Sequence, residues 1–471
     1  MCATPRNLDR ALGVSARRVA AAFVLSLLLS PFGLAQGRLL PGEPLPPLRG
    51  GEVVRLAPGI HTGPWRIEAP DVTIFAESGA VLDGGGAGSA VTLAAPGIKV
   101  VGLRVTGVGP RGDLYEPDAA FELDGCANCE LQGVVAEGVS AALRVEDSPG
   151  VSVQGLGASG TGEGPGVTAY WAPELRVQDV TLEGFLDGLY LERSDGLQVA
   201  DTTVSGSLRY GLHLMFNRGA LIERVHVHGG GVGSAVMYGR GTLLRDVTFS
   251  GHRGPMAFGL LVQEEREALV ERATLRGNTI GLLAVAAPGL VVREAVFDAN
   301  GFATMLQRLP ASFDTGTPDQ ETRLVIEESR FVRNAFDLAL DDDAADVLLH
   351  GNSYDRAPQL DLAGDGYLEL QHVVGTSLGA LAARHPDLSL LAFGPAIVLW
   401  EALEARVPGA RFGMLADSAP RVSERTRSGG ARPTDALGTW LLALLPLAGA
   451  ARAGLPLAGA ARGVLPRESQ R

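Results

Sequence analysis

The chain has 471 residues, with 53 acidic against 40 basic side chains and a formal net charge of -13. That balance argues against a nucleic-acid partner, because phosphate binding needs clustered basic groups. An acidic surface suits a soluble extracytoplasmic protein and attracts cations.

Residues 1–35 read as a secretory signal peptide. Arg6, Arg10, Arg17 and Arg18 form a positive start, Val19 to Leu29 is apolar apart from Ser26, and Gly33-Leu34-Ala35 offers a small-residue cleavage site. The apolar run falls short of the roughly 20 residues that a spanning helix needs, so cleavage is expected, with a retained anchor as the alternative. A periplasmic or otherwise extracytoplasmic location follows.

Residues 45–355 are expected to form an all-β solenoid, a right-handed parallel β-helix. Apolar-alternating runs end in glycine at Gly160, Gly184, Gly206, Gly229, Gly251 and Gly277, in steps of 24, 22, 23, 22 and 26 residues. A second series, Gly188, Gly211, Gly233, Gly259 and Gly281, steps by 23, 22, 26 and 22 and stays in phase with the first. Two short strands per 22 to 26 residues is a solenoid signature. Alternation gives each strand an inner and an outer face, and each rung buries its apolar face against its neighbours. About twelve rungs are expected, with Asn278, Asn300, Asn334 and Asn352 at turns where asparagines stack into ladders.

Cys2 lies in the signal, so Cys126 and Cys129 remain. A Cys-x-x-Cys pair in an exported protein is a disulfide, a redox motif or a soft-metal clip. No βαβ pattern surrounds it, which disfavours the redox motif, and a local disulfide or two incidental thiols is the plainer reading. Residues 356–415 are expected to form a C-terminal cap, with helices at Leu378 to Arg384 and Ala396 to Ala405. Residues 416–471 form a low-complexity tail, in which LPLAGAARAG is followed by LPLAGAARGV. Its apolar stretch from Ala436 is either a weak membrane-contacting segment or sequence drift.

The candidate chemistry lies in the rung Arg209-Tyr210-Gly211-Leu212-His213-Leu214-Met215. Leu212 and Leu214 belong to the core, so His213 and Met215 point outward. Aligning Gly233 with Gly211 puts Met237 at the position of Met215, one strand spacing of about 4.8 Å away. A solvent-facing patch of two thioethers and one imidazole suits Cu(I) better than Ca²⁺ or Mg²⁺. The plainer reading is surface packing. His226 and His228 also face outward and form a possible second patch, which plain alternation explains equally well. The acidic run Asp341, Asp342 and Asp343, and the loop with Asp361 and Asp365, read as solvated turns. No rung-aligned carboxylate pair suited to glycosidic cleavage is evident, and the aromatic residues do not align along one face. Both points count against a carbohydrate-binding or carbohydrate-cleaving β-helix, which stands as the alternative.

The stretch RYGLHLMFNRG, then VGSAVMYGRG 22 residues later, then FGLLV, resembles the NosD family of nitrous-oxide reductase accessory proteins. LAPGIHTGPWRIEAP and AVLDGGGAGSAVTLAAPGIKVVGLRVTG are similar to that family's opening rungs. GNSYDRAPQLDLAGDG and LLAFGPA are similar to its closing segment. The resemblance spans roughly residues 45 to 415, and its most specific part is the HLM and VMY pair of rungs. It departs at LDGLYLERSD, where Leu186 stands in place of an arginine, and at Leu214 and Phe216. The resemblance implies a periplasmic, non-enzymatic subunit that partners an ABC transporter permease and ATPase. It also implies a copper-chaperone lipoprotein as donor and nitrous-oxide reductase as the recipient of copper. His213, Met215 and Met237 match its motif, which implies a transient, exchangeable Cu(I) site.

Overall fold

Short strands of Val, Leu and Ile alternating with polar residues fold here as stacked turns. The computed structural model describes residues 36–254, 257–307, 324–340, 347–356, 358 and 360–361. Among them every strand pairing is parallel, and each strand bonds to the equivalent strand one turn away. The result is a right-handed parallel β-solenoid of about twelve turns, and the described residues contain no helix. The signal segment, the cap helices, Asp341 to Asp343, Asp365 and the tail lie outside the described residues. The first pairing joins Gln36–Leu39 to Val53–Leu56.

Each turn holds three strands, not the two expected from sequence. The run from Val151 to Gly160 divides into Ser152–Gln154 and Gly157–Gly160, and Val167–Tyr170 completes the turn. The break falls at Gly155, whose φ of 72° turns the chain sharply. Two turns later Asp201 occupies the same corner at φ 51°. There the backbone stays extended enough that Gln198–Met215 runs as one bent strand through all three sides.

The in-phase glycine series has a steric origin. Gly211 lies in the third side of its turn, where the neighbouring turn approaches closely. A Cβ on Gly211 would lie 2.8 Å from the Gly233 carbonyl oxygen and closer still to Val227. Any side chain there pushes two turns apart.

The inward residues form one continuous core along the axis, including Leu191, Leu212, Leu214 and Val236. Burying each such side chain is worth about 1.5–3 kcal/mol. Polar corners inside the stack are satisfied by ladders. Asn300 Oδ1 accepts from Asn278 N at 3.0 Å, and Asn334 Oδ1 accepts from Asn300 N at 3.0 Å. Each amide nitrogen returns a bond to a carbonyl of the preceding turn, as Asn300 Nδ2 does to Leu275 O at 2.8 Å. Asn352 belongs to a different corner, where it accepts from Ser329 N at 2.9 Å. It is therefore not a member of the ladder that the sequence suggested.

Cys126 and Cys129 form a local disulfide, fully buried in the core. With both sulfurs bonded to each other, the soft-metal clip is removed from consideration.

Candidate functional site

The third strands of successive turns stack into one sheet, and two columns of side chains run up its outer face. One column passes through Thr168, Tyr190, His213 and Ala235, and the other through Tyr170, Glu192, Met215 and Met237. Period-2 alternation places His213 and Met215 on the same face, and the register pairs Met215 directly with Met237.

His213 points outward but does not face solvent. It is 6% exposed, because neighbouring turns roof it over. Tyr190 packs edge-on at 4.7 Å between ring centroids, and Tyr210 lies at 4.5 Å. The expected open patch is thus a half-covered pocket, in which Met215 and Met237 are the partly exposed members.

Asp187 organises this pocket. It is fully buried and accepts from Arg209 Nε at 2.7 Å, Arg209 Nη2 at 2.5 Å and Tyr210 N at 3.2 Å. His213 Nδ1 lies 3.1 Å from Asp187 Oδ2. Burial works to raise the Asp187 pKa, but the hydrogen bonds from Arg209 and His213 outweigh it and hold the carboxyl below its ordinary value. An ionised carboxylate only accepts, so the His213 Nδ1 that faces it carries a proton, and Nε2 is the ring nitrogen left to meet a ligand. This arrangement serves equally to orient a metal-binding imidazole or to orient a general base.

Tyr190 Oη donates to Glu192 Oε2 at 2.8 Å and lies 3.4 Å from Met215 Sδ. Burial, then the adjacent Glu192 carboxylate, raises the pKa of that phenol well above the usual tyrosine range. It therefore stays protonated as a donor. His226 and His228 are exposed on a different side of the solenoid and do not join the pocket. Among the described residues no three His, Cys, Asp or Glu side chains form a metal-holding group.

Beside the two columns, the next residue of each turn adopts a left-handed corner, and an aromatic ladder runs up it. Trp171, Arg193, Phe216 and Tyr238 recur at steps of 22, 23 and 22 residues, all with φ between 47° and 60°. Arg193 lies between two rings, 5.2 Å from the Trp171 centroid and 4.7 Å from that of Phe216. Phe216 and Tyr238 stack at 5.1 Å. With Tyr115 stacked on Tyr170 at 5.3 Å, the aromatic residues do align along one face, against the expectation from sequence. A rung-aligned carboxylate pair also exists on this sheet, at Asp124 and Glu146, with Arg144 bonded to Glu146.

Sequence reasoning singled out His213, Met215 and Met237, which the strand register places on one face, but did not identify Asp187, Arg209, Tyr190 or the corner ladder. The signal was present in the period. Asp187 and Arg209 are 22 residues apart, one turn, like the glycines that revealed the solenoid.

Comparison with known proteins agrees with this architecture. Residues 166–312 match the family model described as a right handed beta helix region. A stretch of 99 residues is 42% identical to the probable ABC transporter binding protein NosD of Pseudomonas aeruginosa, covering 21% of this chain and 22% of that one. The match thus spans about a fifth of that relative's length. Among solved structures, the periplasmic alginate epimerase AlgG aligns at a TM-score of 0.55 and 14% identity, over 65% of this chain and 84% of that chain. The A-module of the Azotobacter vinelandii mannuronan C-5 epimerase AlgE6 aligns at 0.45 and 15% identity, over 67% and 88%. The AlgG likeness is one of fold, and it corrects one expectation. The same solenoid carries an enzyme there, so the expectation of a non-enzymatic protein no longer stands.

Proposed function

We propose that this is an extracytoplasmic β-solenoid of the NosD kind, which works beside an ABC transporter and passes Cu(I) through the pocket of His213, Met215 and Met237. The observation that carries the reading is the register of Met215 on Met237, next to a histidine whose Nδ1 is held by buried Asp187. Two thioethers and a free imidazole Nε2 form a soft donor set that suits Cu(I). A ligating histidine commonly gives its other N–H to a carboxylate, which fixes the tautomer and the ring orientation. Three donors at a half-covered site bind less firmly than a closed four-ligand shell, which fits a cargo that has to leave again. The 42% identity to a transporter-binding relative supports the partner assignment over the matched stretch. Under this reading, a copper-chaperone lipoprotein donates the metal, and nitrous-oxide reductase receives it.

The test is anaerobic titration with Cu(I) against a chromogenic chelator, with the wild type beside the Met215→Ala/Met237→Ala variant. The wild type is expected to take about one equivalent, and the variant to lose it. Equal competition by both proteins would remove the site. In cells, unchanged copper loading of nitrous-oxide reductase with His213→Ala/Met215→Ala would remove the role.

A further inference from the structure

The left-handed corner that carries the aromatic ladder opens into a cleft of about 1000 Å³, lined by Trp171, Arg193, Phe216, Arg218, Tyr238, Arg240 and Arg266 among others. None of these side chains is used by the copper pocket. Arg218, Arg240 and Arg266 are bridged backbone to backbone on successive turns, so their side chains rise from the cleft at the rung spacing of about 4.8 Å. All three are exposed. Arg240 is bound by Glu267 at 2.9 Å, whereas no ion pair holds the side chain of Arg218 or Arg266 among the described residues. The one carboxylate in the lining, Asp195, accepts from the Arg218 backbone N at 2.9 Å. On a protein of net charge -13 this is a local reversal of sign.

We infer that the cleft is a binding site for an acidic glycan, a chain of pyranose sugars bearing carboxylates. Guanidinium forks match carboxylates bidentately. With both prongs of Arg240 taken by Glu267, the free forks are those of Arg218 and Arg266. These stand two rungs or about 9.6 Å apart, which the carboxylates of alternate sugars can reach. A pyranose chain advances by about one sugar per rung. An extended acidic peptide places same-face side chains two residues apart, about 6.6 Å, and falls out of step with the arginines. The ladder supplies the apolar half of the site. Trp171 ends it, is 55% exposed, and offers ring surface to the C–H face of a sugar. Arg193, held between Trp171 and Phe216 and ion-paired to Glu192, keeps the rings in place.

The full-length protein is titrated with hexagalacturonate, maltohexaose and hexaglutamate, by calorimetry and by tryptophan fluorescence. Saturable binding of the galacturonate alone is expected, weakening as salt rises, with a fluorescence change that Trp171→Phe abolishes. Arg218→Ala/Arg266→Ala is expected to weaken binding at least tenfold, and Arg218→Lys/Arg266→Lys to recover only part, because lysine keeps the charge without the fork. Arg224→Ala, which removes an exposed arginine paired to Asp201 on another corner, is expected to bind as the wild type does. Met215→Ala/Met237→Ala is expected to keep glycan binding, so failure of the copper reading and failure of this one are separable. Three results overturn the inference: hexaglutamate binding as tightly, which would assign the cleft to an acidic protein segment; maltohexaose binding as tightly; or a folded arginine double variant with wild-type affinity.

Discussion

Replacing Asp187 with Asn keeps the shape of the side chain at the centre of the pocket and removes its charge. The wild-type carboxylate is fully buried and takes both prongs of Arg209, the Tyr210 backbone N–H and the His213 ring. Removing one member of a buried ion pair costs about 3–5 kcal/mol, because the partner is left uncompensated. Arg209 is 37% exposed, so water takes over part of its solvation, and the expected loss falls to about 2–3 kcal/mol. Urea denaturation at pH 7 measures it. The loss also carries a pH signature. Hydrogen bonds from Arg209 and His213 overcome the opposing effect of burial and hold the Asp187 carboxyl below its unfolded value of about 3.9. A depressed carboxyl pKa stabilises the fold fully above that unfolded value, and the contribution disappears as pH falls through the folded one. The gap between wild type and Asp187→Asn is therefore expected to close in strong acid. The Cu(I) affinity of the variant is expected to fall about tenfold or more, as for other losses of an outer partner to a ligating histidine. A variant within 0.5 kcal/mol of wild type at pH 7, on the scale of about 2–3 kcal/mol worked above, would refute the coupling of Asp187, Arg209 and His213.

Two further predictions concern the stack beneath the site. His252 occupies the corner below Asn278, its ring has no well-aligned hydrogen bond and only weak contacts to the Val227 and Gly230 backbone, and burial pushes its pKa down to about 4. Its folded pKa lies below the ordinary 6.5, so stability is full above pH 6.5 and is lost as pH falls from there through about 4, by up to roughly 3 kcal/mol. His252→Asn extends the ladder of Asn278, Asn300 and Asn334 by one turn and is expected to flatten that dependence, as read by thermal melts from pH 7 to pH 4. An unchanged slope would place the acid sensitivity elsewhere. The second prediction concerns Cys126→Ala/Cys129→Ala, which removes a buried bond closing a very short loop and is expected to cost about 2 kcal/mol in urea. Cu(I) uptake is expected to be unchanged, and a loss of uptake would mean that the pair binds metal as free thiols, against the disulfide described above.

The strand pattern and the glycine spacing were legible because each is a property of single rungs and of their repeat. Leu212, Leu214 and Val236 had to face inward, and a side chain on Gly211 would strike the next turn. By the same alternation His213, Met215 and Met237 had to share an outer face. What alternation could not give is the roof over that face, since Tyr190 and Asp187 come from the preceding turn. The split of each turn into three strands was hidden for a related reason: Gly155, Asp201 and Arg224 adopt the same left-handed corner, so no single residue type marks it. The aromatic residues were misjudged because their overall proportion says nothing of their column. Trp171, Arg193, Phe216 and Tyr238 become a ladder only when aligned at the period of the glycines. Leu186 makes the same point from the opposite side. It stands where the resembling family has an arginine before Asp187, and within its own rung the aspartate looks unpartnered. The cation arrives from the next turn, as Arg209 on both oxygens of Asp187. In a stacked fold the partner of a side chain lies about one period along the sequence. A departure within one rung therefore has to be judged against the residues one period away before it is taken as the loss of a site.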